Sequence, residues 1–132
     1  MNFPKYGRRR TAASATGKMK ERILRAIGFF LRRQGGEIVG YLFGKKVRAE
    51  KTSSVMEQGT EYFEIEELYV SPEMRSKGLG GRLFRMAEET MRRENVEMIC
   101  LSTATKNFRA ILHFYIDEMG MEFWSARLFK RI

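Results

Sequence analysis

Residues 65–83, Ile-Glu-Glu-Leu-Tyr-Val-Ser-Pro-Glu-Met-Arg-Ser-Lys-Gly-Leu-Gly-Gly-Arg-Leu, constrain the fold more than any other part of the chain. The apolar run that closes on Val70-Ser71-Pro72 reads as a buried strand. A short basic turn with Gly78, Gly80 and Gly81 follows, and then an amphipathic helix. That order aims a row of backbone N–H groups and a helix N-terminus at one spot. The partial positive charge there suits an anion, most naturally a phosphate group. Glycine accepts φ > 0 and lets the backbone approach a ligand closely. Arg75 and Lys77 add full positive charge at the same place.

The glycines do not form a Walker loop, because no Gly-Lys-Ser/Thr follows them. They do not form the dinucleotide fingerprint either, since its third glycine would fall at Leu83. What remains is Arg75-x-x-Gly78-x-Gly80 after a strand ending in Val-Ser-Pro. This resembles motif A of the GNAT-type N-acetyltransferases. The resemblance implies an α/β fold of the acyl-CoA N-acyltransferase kind, with a mixed, mostly antiparallel sheet flanked by helices. It covers roughly residues 37–129, and only one clear helix precedes it, so the N-terminal part is expected to be abbreviated.

At 132 residues the chain is expected to form one domain, 18–132, behind a basic arm, 1–17. The longest apolar run, 26–31, is far too short to span a bilayer, and no secretory signal core precedes it. A single cysteine, Cys100, excludes an internal disulfide and fits a reducing cytoplasm. Cysteine and histidine are too few for a structural zinc site, and no metal is expected. The net charge of +9 is uneven. Residues 1–60 carry 14 Lys+Arg against 4 Asp+Glu, and residues 61–132 carry 11 against 12. Such asymmetry fits a nucleic-acid or acidic partner, or a solvated basic arm. Aromatic residues do not interleave with the basic run as a stacking platform needs.

Apolar spacing predicts a helix over 18–33, stopped by Gly35-Gly36, and then a strand over 37–47. Residues 48–59 are polar and read as a loop. A central strand is predicted over 62–70, a helix over 80–94 and a short strand over 96–102. A helix over 107–119 and a closing strand over 123–129 complete the order. Strand alternation places Glu64, Glu66 and Leu68 on one face and Ile65, Glu67 and Tyr69 on the other.

The resemblance implies acetyl-CoA as the acetyl donor and a primary amine as the acceptor, with direct transfer in a ternary complex. The turn from Arg75 through Ser76, Lys77, Gly78, Leu79, Gly80 and Gly81 would hold the pyrophosphate. Leu68, Tyr69 and Val70 would offer backbone groups to the pantetheine arm and to the thioester carbonyl. An alkyl amine, of pKa about 10, is almost wholly protonated at neutral pH and must lose a proton before it attacks. The family places a glutamate for this task at one of two positions on the strand, which are Glu66 and Glu64 here, with Glu66 favoured. The family also protonates the departing thiolate with a tyrosine seven residues after the asparagine of an Asn-x-x-Ala helix start. Asn107-Phe108-Arg109-Ala110 supplies the start, but the seventh position is Phe114 and Tyr115 comes one residue late. Either the helix is shifted or bulged, or Phe114 holds the position and water gives the proton. Asn107 and Arg109 are further candidates for holding the donor. Homodimers are common in the family. Two other readings stay open: a nucleic-acid-binding module using the basic N-terminal half, and an inactive relative that only binds coenzyme A.

Overall fold

The computed structural model describes residues 28–132. The expected arm, 1–17, and residues 18–27 of the expected first helix lie outside the described residues. Over 28–33 the helix expectation is corrected. Strand β1 runs Gly28–Gln34 and pairs antiparallel with β2, Glu37–Arg48. The reason lies in Gly35 and Gly36, which take φ of 57° and 80°. Two consecutive positive φ values make the tight hairpin turn whose twist matches paired strands, so the glycine pair joins two strands instead of ending a helix.

Strand β3, Glu61–Val70, pairs antiparallel with β2 and parallel with the two-residue strand β4, Ile99–Cys100. The sheet is therefore mixed, in the order β1-β2-β3-β4. Helix α1, Leu79–Arg93, makes the crossover between β3 and β4. Its stripe of Leu79, Leu83, Phe84, Ala87 and Met91 packs on Phe63, Ile65, Leu68 and Val70 of β3. Each large side chain buried there contributes about 1.5–3 kcal/mol. Gly40 lets α1 approach, since a Cβ at that position would stand 2.9 Å from Leu79 Cδ2 and 3.0 Å from the Tyr69 carbonyl oxygen.

The expected face assignment along β3 is also corrected. Phe43 pairs with Glu67 but the next residue, Gly44, pairs with Ile65, so Glu66 is an extra residue in the ladder. This β-bulge shifts the alternation by one. Ile65 and Leu68, three apart, both enter the core against α1. Glu66 and Glu67 both turn to side chains of β2. Glu66 Oε1 stands 3.3 Å from Lys45 Nζ, and Glu67 Oε2 accepts the Tyr41 hydroxyl at 2.8 Å.

After β4 the chain forms a short helix α2, Phe108–Leu112, which continues as a π-helical segment, His113–Glu118. The Met119 amide bonds the carbonyl of Phe114, five residues back, at 2.9 Å. No strand forms over 123–129 and the closing-strand expectation is corrected. Phe123, Trp124, Leu128 and Phe129 are 60%, 50%, 95% and 87% exposed, and β4 presents only two residues for pairing. Apolar alternation alone does not form a strand without an edge to bond to.

Candidate functional site

Strands β3 and β4 pair only at Phe63–Ile99 and Glu64–Cys100. Beyond that point they diverge, and among the described residues no strand pairs with β3 on that side from Ile65 onward. A cavity opens where the ladder stops. Ile65, Glu66, Glu67 and Leu68 form one wall and Leu101, Ser102, Thr103 and Ala104 the other, with Tyr115 beside them. An extended ligand that carries amides can add to such an edge as an extra strand.

Past the cavity, Val70 leads into the turn. Pro72–Met74 forms a single 3₁₀ turn, Arg75 to Gly78 is irregular and helix α1 starts at Leu79. Ser76 and Gly78 both take left-handed φ, of 64° and 77°. At Gly78 no atom lies within 4 Å of where a Cβ would stand, so the space over the turn is open. Arg82 is the residue whose amide bonds the carbonyl of Gly78, at 3.1 Å. The amides of Leu79, Gly80 and Gly81 have no carbonyl one turn back within the helix. The first turn of α1 carries no acidic residue and its last turn holds Arg92 and Arg93, the distribution that leaves the N-terminal end attractive to an anion. Arg75 and Lys77 are exposed at the turn, and Arg75 Nε donates to the Val70 carbonyl at 3.4 Å.

The predicted residues fall into place unevenly. Leu68, Tyr69 and Val70 are buried on β3, directly before the turn. Glu66 and Tyr115 line the same cavity. Glu64 lies where β3 is still paired with β4 and is not among the cavity-lining residues. Asn107 precedes α2 as its N-cap, is exposed and makes no side-chain capping bond. Arg109 is exposed and stacks over the Phe108 ring at 5.1 Å.

Phe114 and Tyr115 are both buried, and Tyr115 reaches the cavity while Phe114 does not line it. Tyr115 packs against Phe84 at 6.2 Å and Phe114 at 5.0 Å. Burial pushes its phenol well above the ordinary value of 10, so the hydroxyl keeps its proton throughout the neutral range. Sequence reasoning missed the cavity's other lining residues: Ile65 and Glu67 on β3, and Leu101, Ser102, Thr103 and Ala104 in a stretch after β4 that carries no motif. Burial pushes the Cys100 thiol up as well, which disfavours a thiolate nucleophile. His113 lies outside the cavity and pairs with Asp117 at 2.8 Å on the helix surface.

The family model described as the acetyltransferase (GNAT) family matches residues 4–121. The chain belongs to the GNAT acetyltransferase family. Solved structures agree on the fold. An acetyltransferase from Trypanosoma brucei superposes with a TM-score of 0.58 at 22% identity, covering 95% of this chain and 82% of that one. A GNAT family acetyltransferase from Staphylococcus aureus gives 0.59 at 22% identity, over 92% and 78%. The aminoglycoside N-acetyltransferase AAC(6')-Iy, solved in complex with CoA, gives 0.66 at 16% identity, over 89% and 86%. No curated protein matches. Among the described residues of this GNAT protein, no helix is long and apolar enough to cross a membrane.

Proposed function

We propose that this GNAT protein moves the acetyl group of acetyl-CoA to a primary amine by direct attack within a ternary complex. The single observation that carries the reading is the parting of β3 from β4 after Glu64, which opens a cavity beside β3 that leads to an open, basic, left-handed turn. The amides of Leu68 to Val70 would bond the pantetheine arm and polarise the thioester carbonyl. The backbone amides from Ser76 to Gly81, with Arg75 and Lys77, would hold the pyrophosphate. Asn107 and Arg109, at the start of α2, stand as further contacts to the donor.

Glu66 is the preferred proton acceptor, acting through water, because it lines the cavity; Glu64, which does not, is the weaker choice. Once neutral, the amine nitrogen attacks the thioester carbon, its surplus proton passes to water, and the C–S bond breaks. The leaving sulfur takes a proton from the Tyr115 hydroxyl, and solvent then returns a proton to Tyr115. The acceptor is defined by chemistry as a primary amine. The test is a panel of small amines, polyamines and amine-bearing peptides, with release of the coenzyme thiol as the readout. Thiol release that depends on one acceptor class supports the proposal. Tight binding of acetyl-CoA with no release across the panel would favour a relative that only binds the coenzyme.

A further inference from the structure

Residues 122–132 form no helix or strand and are exposed throughout. Eight large apolar side chains stand exposed among the described residues, and five of them fall in this short stretch: Phe123, Trp124, Leu128, Phe129 and Ile132. Apolar surface gathered in this way marks an interaction site. The same stretch carries Arg127, Lys130 and Arg131 against one carboxylate, Glu122, so the partner it suits is anionic. The root of the stretch is fixed, because the Met121 amide bonds the Tyr115 carbonyl at 2.9 Å.

We propose that residues 123–132 dock this protein on an anionic lipid surface. Wound as a helix at about 100° per residue, the stretch places Trp124, Leu128, Ile132 and Phe129 within one arc of about 140°, with Ser125 the one polar residue among them. Arg127, Lys130 and Arg131 fall within an arc of about 100° on the other side, together with Phe123. A strand would separate nothing. It would put Arg127 and Arg131 with Phe123 and Phe129, and Lys130 with Trp124 and Leu128. A second copy that paired with it as a strand would meet cations on either face. A single-stranded nucleic acid needs rings on the side that carries the cations. A bilayer surface takes the segregated arrangement, with the apolar arc at the acyl boundary and the cations level with the phosphates. Tryptophan favours that depth. So short a helix is marginal in water, which agrees with the irregular backbone here, and it forms when lipid takes up the apolar face. Ten helical residues reach about 15 Å, half of a hydrocarbon core of about 30 Å, so the segment lies on the bilayer and does not cross it. None of these residues lines the cavity, and the proposal is independent of the acetyl-transfer reading.

The test mixes the full chain with vesicles of phosphatidylcholine alone and of phosphatidylcholine with about 30% phosphatidylglycerol. Trp124 is the single tryptophan of the chain, so its emission reports on this segment without a label. With anionic vesicles the emission is expected to move to the blue and the chain to float with the lipid. Three cations should make that binding about a hundredfold tighter than binding to neutral vesicles, and salt at about 1 M should remove most of the preference. Leu128→Ser combined with Phe129→Ser is expected to weaken binding at least about thirtyfold. Replacing Arg127, Lys130 and Arg131 together by glutamine should abolish the preference for anionic lipid. Both variants change exposed residues, so Tm should stay within about 2 °C of the parent. An unmoved emission with anionic vesicles, or equal binding to neutral ones, would overturn the proposal. Vesicle binding that survives the serine pair would also overturn it, by assigning the lipid contact to another basic part of the chain. So would a lipid-free dimer that the serine pair disperses and anionic vesicles leave intact, which would assign the segment to a second copy.

Discussion

Gly44 lies hard against the backbone of Glu64, so that a Cβ at Gly44 would overlap the Glu64 carbonyl oxygen. This contact sits beside the bulge that makes Glu66 an extra residue, and Glu66 and Glu67 line the cavity. Gly44→Ala must push the two strands apart. We expect a loss of about 2–3 kcal/mol, a Tm lower by roughly 8–12 °C, and a smaller stabilisation by acetyl-CoA. Thermal melting with and without acetyl-CoA checks this, and an unchanged Tm would show that the bulge tolerates a side chain there.

Glu66→Gln keeps the shape of the side chain and removes its ability to accept a proton. Turnover at pH 7 is expected to fall by about 100- to 1,000-fold, with little change in acetyl-CoA affinity. The deficit should narrow as pH rises toward the amine pKa of about 10, where the acceptor loses its proton unaided. Glu64→Gln is expected to retain most activity, because Glu64 is not a cavity-lining residue. A pH–rate profile of both variants separates the two carboxylates.

Tyr115→Phe retains the ring contacts with Phe84 and Phe114 and removes only the hydroxyl. Donor affinity should stay within about twofold, while turnover falls about tenfold or more. The phenol also leaves a mark on stability. Its pKa is raised in the fold, so the folded chain holds this proton more tightly than the unfolded one. That contribution is fully present below the ordinary value of 10 and is lost as pH climbs above it. Burial raises the Tyr62 and Tyr69 phenols too, so Tyr115→Phe should soften the alkaline loss of stability without abolishing it. Chemical denaturation at a series of pH values from 8 to 11, both about neutral to alkaline limits, reads this out.

Gly78→Val introduces a β-branched residue at a φ of 77° where nothing crowds the side chain. The cost is conformational, about 1–2 kcal/mol or more, and is expected to appear as an altered turn in a folded protein. Acetyl-CoA affinity should fall at least about tenfold. Wild-type affinity in a folded Gly78→Val variant would remove the turn from the phosphate site.

The strand–turn–helix of residues 65–83 was legible because three local signals agree there: an apolar run, a glycine-rich turn and a helical stripe. Elements set by partners were less so. Phe29, Phe30 and Leu31 fit a helix or a strand equally well, and the hairpin geometry at Gly35-Gly36 decided for the strand. The bulge at Glu66 adds one residue to a period-two pattern and is fixed by the backbone contact at Gly44, which alternation in β3 cannot register. The irregularity in the last helix is a π-helical segment, His113–Glu118, which apolar spacing does not distinguish from an α-helix. The closing strand over 123–129 was misread because its alternation says nothing about the length of the edge available to it. Thr103 carries no periodic or motif signal and lines the cavity from a loop.

A calorimetric titration of the full chain with acetyl-CoA, paired with thermal melting, tests the central claim most directly. The account predicts saturable binding at one site per chain and a Tm that rises with ligand concentration, by the equivalent of about 2.7 kcal/mol at a hundred times Kd. No heat of binding and an unmoved Tm at millimolar acetyl-CoA would contradict it.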